Sequence, residues 1–113
     1  MYGRKYPMIH QHTPGEMNRL EKAFAGELDL WKIAGEIQEY QFESVKLKLA
    51  KGCFYTPDFL VVKDHICFYE VKGFMRDDAA VKLKIAARMF PWAQFILVTQ
   101  DRTGWKFQSI DIN

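Results

Sequence analysis

The feature that most constrains the fold of this chain is a pair of apolar, strand-like segments separated by only three polar residues. The segments are 53–62 and 66–72, and Lys63-Asp64-His65 joins them. A connection this short can link only antiparallel neighbours in a sheet, because parallel strands need a crossover of a dozen or more residues. We therefore predict a tight β-hairpin in which Val62 pairs with Ile66.

The segment before this hairpin has the pattern of an amphipathic helix. Apolar residues recur at spacings of three and four, which places them on one face. Thr13 can cap the helix, Pro14 suits its first position, and Glu16 completes a capping box. The spacing predicts a first helix from about Pro14 to Ala34.

Strands and one further helix account for the rest of the chain. Residues 37–49 alternate as a strand with a bend near Ser44, and 77–90 read as a helix that starts at Asp77 or Asp78 and ends at Pro91. Residues 93–99 and 105–110 form the last two strands. The order of helix, three strands, helix and two strands predicts an α/β fold with a mixed sheet and helices packed on it. Residues 1–12 show no periodicity and are expected to form an irregular arm before a single domain, 13–113.

Composition places the chain among globular proteins. It has 113 residues, of which 49% are hydrophobic and 27% charged. No apolar run is long enough to cross a membrane, and no apolar stretch follows Arg4 and Lys5 as a secretory signal requires. We expect a cytoplasmic protein. The net charge of +2 neither demands nor excludes a nucleic-acid partner.

The hairpin register brings two acidic side chains together. If Val62 pairs with Ile66, Asp58 lies opposite Glu70, and Lys72 points to the same side of the sheet as Glu70. Opposed side chains in an antiparallel pair have Cβ atoms about 5 Å apart, where like charges are unfavourable. The pair therefore needs a shared proton, a cationic partner or a bound divalent metal.

Magnesium suits such a pair, because it takes a few carboxylate oxygens and keeps several waters. Lys72 can orient or help deprotonate a metal-bound water, and it can offset charge on an attacked phosphate. These groups are what phosphodiester hydrolysis requires. The alternative is an ordinary salt bridge on a strand surface, which explains Glu70 and Lys72 but not Asp58 at the matching register after Pro57.

Two sequence blocks resemble a known nuclease superfamily. Tyr55-Thr56-Pro57-Asp58-Phe59 and Tyr69-Glu70-Val71-Lys72-Gly73 resemble the PD-(D/E)XK signature in its Asp…Glu-x-Lys form. The closer resemblance is to small phage and prophage proteins of unknown function, which show a Tyr-Thr-Pro-Asp-Phe motif, a Glu-Val-Lys-Gly-Phe motif and an Asp-Asp-Ala helix. The third block here is Asp77-Asp78-Ala79, and the resemblance spans roughly residues 17–99.

This resemblance implies a restriction-endonuclease-like core of a helix, a three-strand meander, a helix and a strand, with an added C-terminal edge strand. It implies that Asp58, Glu70 and the backbone carbonyl of Val71 bind Mg²⁺, with Mn²⁺ as a substitute, and that Lys72 is catalytic. In many relatives a glutamate of the first helix joins the site, and Glu21 fits that position. Glu21 lies close to the apolar face of the helix, but it also fits a solvated flank.

Basic residues of the second helix are candidates for phosphate contacts. The resemblance places a basic or amide residue there, and Lys82, Lys84 and the preceding Arg76 are expected to bind nucleic acid. A solvated helix surface with an Asp78–Lys82 pair explains the same residues. Lys46, Lys48 and Lys51 extend this surface or serve only to discourage edge pairing.

The sequence therefore predicts a metal-dependent nuclease acting on DNA, structure-specific in the style of a junction resolvase and of phage or prophage origin. Its expected location is the host cytoplasm, as a homodimer or with a DNA-processing partner. The alternative is a catalytically inactive module of the same fold that binds nucleic acid or protein. DNA or RNA as substrate, and endonuclease or exonuclease action, both remain open.

Overall fold

The computed structural model describes residues 15–73 and 77–110, and it describes no side chains at 77–79. The predicted arm at 1–12 and the candidate residue Arg76 lie outside the described residues. Within them the chain forms two helices and seven strands. The elements are α1 (Arg19–Ile33), β1 (Glu39–Phe42), β2 (Leu47–Ala50), β3 (Cys53–Tyr55), β4 (Phe59–Val62), β5 (Ile66–Val71), α2 (Asp77–Met89), β6 (Ala93–Asp101) and β7 (Gly104–Ser109).

Five strands form one mixed sheet in the order β1-β4-β5-β6-β7. β5 and β6 are parallel, as expected for strands joined through the helix α2, and the other neighbours are antiparallel. The predicted hairpin is confirmed, since Val62 pairs with Ile66 across the Lys63-Asp64-His65 loop. The α/β class, the mixed sheet and the C-terminal edge strand are also confirmed.

The predicted start of the first helix is wrong. Gly15 has a φ of 81° and Glu16 is not helical, so the helix does not begin at Pro14. It begins at Arg19, where the Asn18 side chain accepts from the Glu21 N–H and the Glu21 carboxylate accepts from the Asn18 N–H. This second capping box satisfies two of the amides that a helix start leaves without partners.

The prediction of one strand over 53–62 is also wrong. The chain leaves the strand conformation at Thr56-Pro57-Asp58, because proline has no N–H to donate to a strand ladder. β3 instead pairs with β2 in a separate two-stranded sheet. The bend expected near Ser44 is present one residue earlier, where Glu43 has a φ of 50° and separates β1 from β2.

The main sheet is covered on both faces. On one face Phe24 and Leu28 of α1 pack on Phe59, Tyr69 and other sheet residues. On the opposite face α2 and the β2–β3 hairpin pack on residues that include Phe68 and Phe95. Side chains of a strand alternate between faces, so Glu70 lies on the same side as Phe68, beneath the hairpin. Neither described helix has the length and apolar character needed to cross a bilayer.

Candidate active site

Asp58 occupies a fixed position between two strand ends. It directly precedes β4, and its backbone carbonyl accepts from the Glu43 N–H at 2.8 Å. Its carboxylate oxygen Oδ2 accepts from the Val71 N–H, also at 2.8 Å. The ladder between β4 and β5 ends at the pair of Phe59 and Tyr69, so Asp58 stands one step beyond it. The side chain is 6% exposed.

Glu70 is held from two sides. The Tyr55 hydroxyl donates to Glu70 Oε1 at 2.6 Å, and the Lys72 ammonium lies 3.1 Å from Glu70 Oε2. Like Asp58, Glu70 is only 6% exposed, whereas the Lys72 side chain is partly open to solvent. Hydrogen bonds to an ionised carboxylate are among the stronger ones in proteins. The Glu70 side chain is therefore fixed in place, and Lys72 forms the outer edge of the site.

The two carboxyl groups interact strongly. Burial raises the pKa of Asp58 to about 8, with a further contribution from the Glu70 charge and a smaller one from Glu21. The Val71 N–H and Lys72 oppose this shift without cancelling it. Asp58 thus holds a proton at neutral pH when no cation is bound. Of the solutions expected from the sequence, the unliganded site thus combines two: a proton on Asp58 and a cationic partner, Lys72, for Glu70.

Lys72 is a cation in this arrangement. Burial alone would lower the pKa of Lys72, but the charge and hydrogen bond of Glu70 outweigh it and hold that pKa above its ordinary value. Tyr55 also remains protonated, because burial and the negative charge of Glu70 raise its pKa. Both groups therefore donate hydrogen bonds to Glu70 throughout the physiological pH range.

Glu21 lies near the site and is engaged elsewhere. It is 5% exposed, so the buried position is confirmed and the solvated flank is wrong. Its charge contributes to the raised pKa of Asp58. One of its oxygens, Oε1, accepts from the Asn18 N–H at 2.8 Å as part of the helix cap. Glu21 thus adds negative charge near Asp58 while it holds the start of α1.

The carboxyl groups do not form a three-ligand metal cluster. Among residues 15–73 and 80–110, whose side chains are described, no group of three or more His, Cys, Asp and Glu side chains is placed to hold a metal ion. Asp58 and Glu70 remain as a pair of carboxylates. One or two carboxylates plus waters is a usual donor set for magnesium, and each carboxylate oxygen has two lone pairs, so the pair fits this ion.

The basic residues of α2 are placed differently from one another. The Lys82 ammonium donates to the Phe54 carbonyl of β3 at 3.2 Å, which ties α2 to the hairpin that covers Glu70. Lys84 is exposed. The proposed Asp78–Lys82 pair involves a side chain outside the described residues.

Tyr55 and the Val71 N–H are the contributors that sequence reasoning missed. Tyr55 belongs to the Tyr-Thr-Pro-Asp-Phe block, and a buried tyrosine hydroxyl usually requires a polar partner, which is the signal that was available. Val71 was expected to act through its carbonyl, but the contact present is from its N–H to Asp58. A surface cavity of about 330 Å³ lies at the opposite end of β5, beside His65 and Gln94, away from these groups.

Comparison with models of known protein families and with curated proteins gives no significant match for this chain.

Proposed function

We propose that the protein is a metal-dependent nuclease that hydrolyses phosphodiester bonds in DNA, with a nuclease core of the PD-(D/E)XK type. The observation that carries the proposal is the buried pair of Asp58 and Glu70 with the Lys72 ammonium 3.1 Å from Glu70. Two buried acids whose charges repel each other destabilise a fold, so a structural role alone does not account for the pair.

The described residues support a division of roles. Asp58 and Glu70 hold the metal, and the rigid contacts of Glu43, Val71 and Tyr55 keep their oxygens in position. A bound Mg²⁺ supplies a Lewis acid and an acidified water. Proton loss from Asp58 accompanies the binding of a cation, because a metal ligand must be deprotonated.

Lys72 acts as a fixed positive charge. Its raised pKa keeps the ammonium protonated, so it cannot accept a proton from water in the unliganded state. Of the two roles expected from the sequence, stabilisation of charge on the attacked phosphate fits this state better. Its position at the solvent-facing edge of the site suits contact with a phosphate.

The test is cleavage of labelled linear and branched DNA, with magnesium, with manganese and with EDTA. Wild-type protein is expected to cut only with a divalent metal. Asp58→Asn and Lys72→Ala are expected to lose at least about 100-fold in rate, a typical loss for removing one group that stabilises charge in the transition state. Glu36→Gln is the matched control, because Glu36 is an exposed carboxylate outside the site.

Two results contradict the proposal. The first is equal cleavage by the wild-type, Asp58→Asn and Lys72→Ala proteins, which would assign the activity to a contaminant. The second is DNA binding without cleavage under every metal condition, which is the behaviour of a binding module.

A further inference from the structure

One layer of the fold carries an excess of positive charge. Residues 44–57, which contain the β2–β3 hairpin, and residues 80–89 of α2 together hold six Lys and Arg residues and no Asp or Glu, whereas Asp77 and Asp78 begin α2. The whole chain has a net charge of +2, so the rest of it carries −4. The hairpin and α2 are in contact on the same face of the sheet. This layer, termed here the basic layer, is the part of the molecule that attracts a polyanion.

An exposed aromatic ring lies within the basic layer. Phe54 of β3 is 39% exposed, and three lysines lie near this residue. Lys46 Nζ is 4.6 Å from the centre of the ring, Lys48 is the cross-strand partner of Phe54, and Lys82 donates to the Phe54 carbonyl at 3.2 Å.

Phe54 is also adjacent to the acidic site. Successive side chains of a strand point to opposite sides, so Phe54 faces solvent while Tyr55 faces inward. Tyr55 donates to Glu70 at 2.6 Å. A strand bound on Phe54 therefore lies on the outer side of the hairpin, whose inner side holds a catalytic carboxylate through Tyr55.

The geometry points to Phe54 as a stacking platform for an unpaired base, with Lys46, Lys48 and Lys82 as partners for the adjoining phosphates. The substrate class is single-stranded nucleic acid or a strand with an unpaired end. That the bound strand is then cleaved rests on the proposed nuclease function. Bases inside a duplex already stack on both faces and cannot cover the ring. Three lysines near an exposed aromatic residue favour this partner over a protein, because charged residues are depleted from the centres of protein interfaces.

The basic layer is tested by binding in EDTA, where no cleavage occurs. Fluorescence anisotropy measures the affinity for a labelled oligothymidylate of about 12 nucleotides, within the site size usual for such proteins, and for a blunt duplex. Phe54→Ala is expected to weaken single-strand binding about tenfold, and Phe54→Tyr to keep it. Each alanine at Lys46, Lys48 or Lys82 is expected to lower the slope of log Kd against log salt concentration by about 0.7, the value for one phosphate of a single strand.

Phe107→Ala is the matched control. Phe107 is a phenylalanine of similar exposure, 48%, and it packs with Phe24 and Trp31 on the opposite face of the sheet. Its removal is expected to leave single-strand affinity unchanged. Thermal melting of each variant shows that the fold is retained.

Several outcomes overturn the inference. The first is equal single-strand affinity of the Phe54→Ala and wild-type proteins. The second is a loss of blunt-duplex affinity in Phe54→Ala as large as the loss of single-strand affinity. The third is a change of oligomeric state in Phe54→Ala, which would mark Phe54 as part of a protein interface. Failure of the nuclease proposal is separate, since it appears as absent cleavage by a wild-type protein whose single-strand binding still depends on Phe54.

Discussion

Replacing Asp58 with asparagine is expected to make the protein more stable while it removes the proposed activity. Burial, followed by the Glu70 charge, raises the pKa of Asp58 to about 8. An asparagine has nearly the same shape, keeps an oxygen that can accept the Val71 N–H, and carries no ionisable proton. Asp58→Asn therefore removes the free-energy cost of keeping a carboxyl group buried at this position, and it opens no cavity.

The size of the gain follows from the two pKa values of Asp58. In the unfolded chain the carboxyl group ionises above its ordinary pKa of 3.8, whereas in the folded chain it keeps its proton up to about pH 8. Between these values the folded state binds the additional proton, so its stability falls as pH rises, by about 1.4 kcal/mol per pH unit. The unfolding free energy of the asparagine variant is expected to exceed that of wild type by about 2 kcal/mol at pH 5, about 4 at pH 7 and about 6 well above pH 8.

Urea unfolding followed by tryptophan fluorescence measures this difference. With an m-value of about 1–2 kcal/mol/M, the midpoint of the variant at alkaline pH is expected about 2 M or more above that of wild type. The exposed carboxylate variant Glu36→Gln is the control and should follow the wild-type curve. A stability difference that does not change with pH, or an asparagine variant less stable than wild type at pH 9, refutes the reasoning.

Three further predictions concern the site and the core. Magnesium at about 100 times its Kd is expected to stabilise wild type by about 2.7 kcal/mol and to leave Asp58→Asn unchanged. The magnesium affinity of wild type is expected to rise with pH up to about pH 8, because binding requires the ionised carboxylate. Calorimetric melting measures the stabilisation and its pH dependence. Tyr55→Phe is expected to lower the unfolding free energy by about 1.5–3 kcal/mol, because it removes a buried hydrogen bond to a charged group. Its control is Tyr40→Phe, which removes a similar hydrogen bond to the exposed Asp29 and is expected to cost less than about 1 kcal/mol in the same melts. Phe24→Ala is expected to lose about 3–5 kcal/mol in urea unfolding, because the ring is fully buried between α1 and the sheet, and a loss below about 1 would contradict that packing.

The register of the site could be predicted from the sequence because a three-residue loop leaves little freedom. Once Val62 pairs with Ile66, the ladder extends without a bulge to Phe59 and Tyr69, and Asp58 follows opposite Glu70. Alternation then places Glu70 and Lys72 on one side, as their contact confirms. Short local constraints therefore define the acidic pair.

The start of the first helix and the division of residues 53–62 could not be predicted, because the sequence contains competing signals at both places. Two capping boxes follow each other closely, 13–16 and 18–21; they are equally good local signals, and the second begins the helix. Pro57 lies inside an apolar run, and only the packing of the β2–β3 hairpin on the α2 face reveals that the run is two strands in two sheets. The contact of Tyr55 with Glu70 follows from that packing, and therefore no residue spacing predicted it.

The capping box of α1 connects helix stability to the acidic site. Glu21 secures the Asn18 amide with one oxygen, while its charge acts on Asp58 from the same position. A ligand that draws Glu21 Oε1 away from the Asn18 N–H is expected to loosen the first turn of the helix. Faster amide hydrogen exchange at the beginning of α1 would then report that a ligand has bound at the acidic site.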